Sequence, residues 1–290
     1  MKQPTLLALA TALVLAGCNG SSGNSNNNTG SGGTTPPTTG ESALEKALPL
    51  SIDVFGVTIR ATANIDRTKM LHAAQVMAQY LDNDENGLVD NEAVVEKLVA
   101  SKATLVMLPK ESDMEALGDK LGDGKQDNIQ DLYGSEVYPG GSSAAGFDAS
   151  LEEVLHLITH VGYAQVYPKI FGEKPESQIA DAMDQARGGR FTSIPAKYPE
   201  GAWYTYDDST CDYSCMVTEY TYWALTSLLG GQAYEGRLEE IAHEWKLNTP
   251  EKVKLGDPAV YTLLTNGEYG LATKLPNGNY SYKTFTIQGG

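Results

Sequence analysis

Positive charge is scarce in this 290-residue chain. It has 21 lysines and arginines against 37 aspartates and glutamates, which gives a formal net charge of −16. A surface with such an excess of acidic groups repels the phosphates of nucleic acids and of anionic lipids. The composition therefore argues against a nucleic-acid partner, and it argues against binding to lipid headgroups through basic patches.

Cysteine is also scarce, with three in the whole chain. Cys211 and Cys215 lie close together in the segment Cys-Asp-Tyr-Ser-Cys. In an exported protein, two cysteines at this spacing are typical of a small disulfide. A metal site built on both thiols is the alternative, but no further cysteine is available to complete it. We therefore predict a disulfide between Cys211 and Cys215.

The apolar run at the N-terminus is short. It extends from Leu6 to Leu15, with Lys2 before it and small residues after it. A run of this length is too short for a membrane-spanning helix of the mature protein, and the flanking residues are typical of a secretory signal peptide. Residues 1–17 are therefore predicted to be removed on export.

The end of this segment, Leu15-Ala16-Gly17-Cys18, resembles the bacterial lipobox. The resemblance implies cleavage before Cys18 and attachment of lipid to its sulfur, and Asn19 is compatible with delivery to the outer membrane. The mature protein would then be attached to the membrane of the cell envelope through this lipid. The alternative is an ordinary signal peptide followed by an unmodified cysteine.

The remaining chain divides by composition into a tether and a folded region. Residues 19–40 contain no apolar side chain to bury, so 18–40 is predicted to be a lipidated cysteine with a flexible linker. Residues 41–290 are long enough for a sizeable core, as one domain or as lobes 41–145 and 146–290. Apolar runs and periodicities predict an α+β fold, mainly helical with a small sheet. Strands are expected at 48–61, 103–108, 137–138 and 279–287, and the main helices at 66–80, 91–100, 149–164, 177–187 and 216–229.

Two of only four histidines, His156 and His160, lie four residues apart. On an α-helix this spacing places both rings on one face, where they can bind one metal ion as in the zinc-peptidase pattern H-E-x-x-H. The pattern is incomplete, because Leu157 occupies the position of its glutamate. The alternative is that both histidines belong to the core.

A third ligand is predicted on a later helix. Glu219 is the one acid in an otherwise apolar segment, and a buried acid of this kind needs a partner. Together with His156 and His160 it would leave an open coordination position, as catalytic zinc requires. Glu152 is an alternative ligand, and Glu153 is the predicted general base.

The order of elements and the incomplete motif resemble zincin-like metallopeptidases. The resemblance implies a zincin-like domain with zinc on its histidine-bearing helix, and hydrolysis of a peptide or protein substrate. The absence of the motif glutamate leaves open a pseudo-peptidase that keeps the metal without the chemistry.

An acidic loop between two predicted helices resembles part of an EF-hand. Asp82, Asp84, Asn86, Gly87 and Asp90 match its positions 1, 3, 5, 6 and 9, but position 12 is an alanine. The loop is thus a predicted calcium site, with a solvated turn rich in Asp and Asn as the alternative. A non-catalytic calcium-binding surface module is accordingly the second predicted function. Another acidic group, at Asp123, Asp127 and Asp131, lacks the alternate spacing and is expected to be a polar loop.

Several of these segments together resemble a family of exported proteins with no established activity. They are residues 72–87, 152–163 and 206–223, and the resemblance spans about 50–265. It implies that His72, the acidic loop, the histidine helix and the Glu219 helix belong to one structural unit. We expect His72 to be a packing residue on its helix, with a supporting role at the metal site as the alternative.

Overall fold

A computed structural model of the chain describes residues 42–121, 128–143 and 146–290. The predicted signal peptide, Cys18 and the linker to residue 40 lie outside these ranges, as do Asp123 and Asp127. None of the helices within the described ranges has both the length and the apolar character needed to cross a bilayer.

Four strands form one sheet in the order β1-β2-β3-β4. Strands β1 (Leu50–Val54) and β2 (Val57–Ala61) are an antiparallel hairpin, joined by a tight turn in which Phe55 and Gly56 have positive φ. Strands β3 (Thr104–Leu108) and β4 (Ile129–Tyr133) are added in parallel. Every side chain of β3 is buried, as its continuous apolar run predicts. The predicted edge strand at 137–138 is wrong, since the edge is β4.

Polar side chains cap several helices of the described ranges. Asp66, Asn91 and Asp212 each accept hydrogen bonds from backbone amides in the first turn of a helix.

The chain is α+β and mainly helical, with a small mixed sheet, as predicted. The helices are α1 (Ala43–Ala47), α2 (Arg67–Leu81), α3 (Glu92–Ala100), α4 (Met114–Leu121), α5 (Ser150–Leu157), α6 (Ala164–Val166), α7 (Gln178–Ala186), α8 (Tyr213–Leu228), α9 (Arg237–Ile241), α10 (Pro250–Gly256) and α11 (Pro258–Leu264).

Helix α5 occupies the centre of this arrangement. It packs against β3 and β4 of the sheet and lies between α2 and α8. Nearly every side chain of α8 is buried, including that of Glu219. Polar groups on α5 and α8 therefore face each other away from bulk water, where each of them needs a partner.

The C-terminal residues 271–288, which we call the C-terminal strap, cross the end of α2. Gln79 accepts hydrogen bonds from the backbone amides of Asn277 and Gly278, and Asn83 accepts them from those of Thr273 and Lys274. The strap meets the sheet through an isolated bridge between Ser51 and Gln288. The predicted strand at 279–287 is wrong, since these residues pair with no strand and the Ser281 amide donates to Glu85 of the acidic loop instead.

Candidate metal centre

Three side chains on two helices form a compact group of potential metal ligands. Glu152 and His156 lie one turn apart on α5, and Glu219 faces them from α8. Each offers one ligand atom, and these atoms lie within 4.8 Å of one another. The Nε2 atom of His156 is 3.7 Å from a carboxylate oxygen of Glu219. Two ligand atoms of a tetrahedral zinc ion lie about 3.4 Å apart, so the spacing suits a shared ion.

The His156 ring is buried between carboxylates on its two sides. Its Nδ1 atom is 3.5 Å from the Glu153 carboxylate, while Nε2 has no hydrogen-bond partner in the described structure. A buried polar atom without a partner is costly, and native proteins rarely leave one. The unpartnered nitrogen lies beside Glu152 and Glu219, and this set of donor atoms could hold a divalent cation.

The electrostatics of the group favour a bound cation. Burial raises the pKa of Glu152 to about 8, and the nearby carboxylate of Glu153 adds to this effect. Burial likewise raises the pKa of Glu219 to about 8, against the opposing influence of His156. A cation placed among these groups would stabilise their charged forms, because opposite charge offsets both burial and mutual repulsion.

The structure moves the motif four residues towards the N-terminus. The segment Glu152-Glu153-Val154-Leu155-His156 has the spacing of H-E-x-x-H, with a glutamate in place of the first histidine. Glu152 and His156 then occupy the two ligand positions, and Glu153 occupies the position of the pattern's glutamate. The signal in the sequence is the pair of acids before His156, of which Glu152 is the predicted alternative ligand.

Glu153 lies beside the group and is held by the sheet. The Gln130 side chain of β4 donates a hydrogen bond of 2.6 Å to its carboxylate. Burial raises the pKa of Glu153 well above its ordinary value, and Asp131 and Glu136 raise it further. A raised pKa makes the ionised carboxylate more basic, which suits a general base. Its role as a base remains a prediction.

His160 lies apart from the group. Its Nδ1 atom is 2.6 Å from Glu173, whose other oxygen accepts a hydrogen bond of 2.6 Å from Thr218. The helix changes after α5 into a π-helical turn, Ile158–Tyr163. The wider turn changes the angle between successive residues, so the alignment expected for a regular α-helix does not apply at His160.

The N-terminal end of α8 is fixed covalently and by hydrogen bonds. The predicted disulfide between Cys211 and Cys215 is present and spans the start of the helix. The Asp212 side chain caps the same turn. Further along, the Tyr204 hydroxyl donates to the backbone oxygen of Met216. These contacts restrain the helix that carries Glu219.

His72 supports the start of α5 without touching the metal group. Its Nε2 atom is 2.6 Å from Asp148, and both side chains are buried. Asp148 also accepts hydrogen bonds from the backbone and hydroxyl of Ser150, the first residue of α5. His72 is thus more than a packing residue, because it pairs with an aspartate that hydrogen-bonds the first residue of α5.

The acidic loop forms a second group of carboxylates. Ligand atoms of Asp82, Asp84 and Asp90 lie within 4.8 Å of one another. The Asp82 carboxylate is buried and accepts hydrogen bonds from the backbone amides of Asn86 and Gly87. Asn86 uses its side-chain oxygen to accept from the Leu88 amide. The loop thus combines the predicted acidic cluster with the hydrogen bonds of a turn rich in Asp and Asn.

The fold and these two groups define an α+β protein with a candidate His–Glu metal centre. Comparisons with protein families, with curated proteins and with solved structures found no match for the chain. The functional argument therefore depends on the geometry of its own residues.

Proposed function

We propose that this protein binds one divalent transition-metal ion, zinc by preference, through Glu152, His156 and Glu219. The observation that carries the proposal is the unpartnered, buried Nε2 atom of His156, which lies beside the buried carboxylate of Glu219 and the half-buried carboxylate of Glu152. One imidazole and two carboxylates are ordinary zinc ligands, although manganese and iron accept the same donors. The lipobox resemblance supports placing this metal protein at the bacterial cell envelope, anchored by lipid on Cys18 in the outer membrane.

The reaction that this centre supports best is hydrolysis of a peptide or amide bond, in a zincin-like arrangement. Three protein ligands leave a fourth position for water or substrate. A bound ion would supply a Lewis acid to polarise the substrate carbonyl. Glu153 is the proposed base, and to take a proton from the attacking water its carboxylate would have to turn from the Nδ1 side of His156 towards the ion.

The burial of His156 and Glu219 favours a second function for the same centre, in which it binds a metal without catalysing hydrolysis. His156 and Glu219 are each only 3% exposed, so a substrate would have to approach from the side of Glu152, which is more exposed. Two carboxylate ligands also neutralise a divalent ion more fully than one does, which lowers its strength as a Lewis acid. A pseudo-peptidase would bind the metal here and lack hydrolysis.

Calcium binding at the acidic loop is a separate candidate function. The proximity of Asp82, Asp84 and Asp90 favours it, because calcium prefers several carboxylate oxygens. In that case the protein would be a non-catalytic surface module stabilised by calcium, and any metal at the His–Glu centre would be structural.

Metal content by plasma mass spectrometry tests the proposed centre. The purified protein is compared with His156→Gln and Glu219→Gln, and His160→Gln serves as the matched control. We expect close to one zinc per chain in the wild type and the control, and loss of zinc in the other two variants. The assignment would be contradicted if His160→Gln lost its zinc while Glu219→Gln kept it. A folded wild type that takes up no transition metal would also contradict it.

A further inference from the structure

Arg237, Gln232 and Tyr222 form a chain of hydrogen bonds that ends beside Glu152. The Arg237 Nε atom donates to the Gln232 side-chain oxygen over 2.8 Å, and the Gln232 amide nitrogen donates to the Tyr222 hydroxyl over 3.1 Å. Gln232 and Tyr222 are completely buried. Water therefore does not compete for these bonds, and their directions are set by the side chains themselves.

The chemistry of the partners fixes these directions. A guanidinium group can only donate, so the oxygen of the Gln232 amide must face Arg237. Its NH2 group then faces Tyr222 and Thr226, and the Thr226 hydroxyl is able to accept because it donates to a backbone oxygen of α8. The Tyr222 hydroxyl oxygen consequently accepts a hydrogen bond from Gln232. The single proton of the Tyr222 hydroxyl is then free to be donated to another acceptor.

Tyr222 lies beside Glu152, whose carboxylate is the charged group that acts most strongly on the Tyr222 hydroxyl. Its ring packs edge-on against the His156 ring, with centroids 5.4 Å apart and planes at 82°. Tyr222 follows Glu219 by three residues on α8, so both project from the same face of the helix. Tyr222 therefore packs against one of the three proposed ligands and lies beside the other two.

We propose that Tyr222 is a positioning residue for the metal centre, and that the chain from Arg237 through Gln232 directs its proton to Glu152. This inference rests on the proposed function. The glutamate that replaces the first histidine of the motif has one more rotatable bond than histidine, so its carboxylate needs an external contact to fix its orientation. Groups that orient metal ligands in this way typically contribute 10- to 100-fold to metal affinity.

Tyr222→Phe tests the hydroxyl, with Tyr220→Phe as the matched control. Tyr220 lies on the same helix, is equally buried, and donates a hydrogen bond of 2.6 Å to Asp257. The zinc Kd is measured on the full exported protein by competition with a chromophoric chelator, and the cobalt(II) absorption spectrum reports ligand geometry. We expect Tyr222→Phe to raise the Kd about 10- to 100-fold and to alter the spectrum, whereas Tyr220→Phe stays within about twofold of the wild type.

Gln232→Glu tests the direction of the chain while keeping the Tyr222 hydroxyl. The new carboxylate can only accept, so it would take the Tyr222 proton away from Glu152. We expect weaker zinc binding and an altered cobalt spectrum, as in Tyr222→Phe. A Tyr222→Phe protein that binds zinc like the wild type would overturn the proposal, and an unaffected Gln232→Glu would overturn the directed chain. A wild type without metal affinity would refute the proposed function itself, and this inference with it.

Discussion

Glu152 and Glu153 are adjacent in the chain but face different partners. Glu152 shares the space beside the Nε2 atom of His156 with Glu219, whereas Glu153 lies at the Nδ1 atom and accepts a hydrogen bond from Gln130. One imidazole ring thus separates a proposed ligand from a proposed base. A substitution of each glutamate should therefore have a different effect.

Glu153→Gln is predicted to impair hydrolysis more than metal binding. The amide can still accept from Gln130, but it cannot take a proton from water. With a fluorogenic peptide library as substrate, we expect hydrolysis to fall about 10²- to 10⁴-fold while zinc content stays near one per chain. Unchanged hydrolysis in Glu153→Gln, when His156→Ala abolishes it, would show that Glu153 is not the base. A wild type with zinc but without hydrolysis would support the pseudo-peptidase.

Glu136 provides a test of pH dependence away from the proposed ligands. Burial raises its pKa from 4.5 to about 7, and the repulsion of Asp131 adds to this effect. Because the folded pKa is above the unfolded one, the stability linked to this proton is complete below about pH 4.5 and is lost as the pH rises through about 7.

Glu136→Gln should therefore stabilise the protein at pH 8 and not at pH 4.5. The amide keeps an oxygen to accept from the Tyr133 amide, as Glu136 does. We expect a gain on the order of 2 kcal/mol in the free energy of unfolding at pH 8, measured by urea denaturation. An equal difference from the wild type at both pH values would contradict this account.

At the scale of elements, Glu173 connects the π-helical turn with α8. Its carboxylate binds His160 on one side and Thr218 on the other, and Thr218 directly precedes Glu219. The Glu173 side chain is only 9% exposed, so water competes little for these bonds. Glu173 therefore holds the two helical segments together near the metal centre, without being among the proposed ligands.

Thr218→Val is predicted to weaken this connection, with Thr221→Val as its control. Thr221 also lies on α8, but its hydroxyl donates only to the backbone of its own helix in the described structure. A hydrogen bond to a charged group contributes about 1.5–3 kcal/mol, and a neutral one about 1 kcal/mol. Chemical denaturation should thus show a larger loss of stability for Thr218→Val. Equal losses would mean that Glu173 contributes no net stabilisation through Thr218.

At the scale of the whole molecule, the C-terminal strap joins the last residues of the chain to the acidic loop. The Tyr280 hydroxyl donates to Asp82, and Ser281 donates from its backbone and hydroxyl to Glu85. These contacts link positions about 200 residues apart in sequence. Ordering of the loop by a cation would therefore also hold the strap in place.

Calcium is predicted to protect the strap from proteolysis and to raise the melting temperature. Binding only to the folded state stabilises it by about 2.7 kcal/mol at a calcium concentration 100 times the Kd. Asp84→Asn should reduce this effect, because Asp84 is exposed and its loss leaves the bonds of Asp82 in place. Limited proteolysis and thermal melts with and without calcium measure both quantities. Equal cleavage and equal melting temperatures would exclude calcium binding at the loop.

The sequence predicted the elements whose signals are local. The helices predicted at 66–80 and 91–100 are present, and the apolar residues around Glu219 indicated a buried helix. Strand β4 was missed because Gln130 and Asp131 interrupt its apolar pattern.

Tertiary packing determines the position of His160 outside the candidate metal-binding group. A Cβ atom at Gly162 would lie 2.8 Å from Val94, so the π-helical turn packs closely against α3. No local pattern in the sequence predicts that close packing, and the regular helix assumed for the histidine pair was therefore wrong after Leu157. The role of Glu152 likewise depends on which groups α8 brings opposite α5.

Anomalous diffraction at the zinc absorption edge, from crystals of the protein grown with zinc, tests the central claim most directly. The account predicts a peak within bonding distance of His156 Nε2 and of carboxylate oxygens of Glu152 and Glu219. A peak at His160 and Glu173 without one at His156 would contradict it. A map without a metal peak between α5 and α8 would also contradict the account.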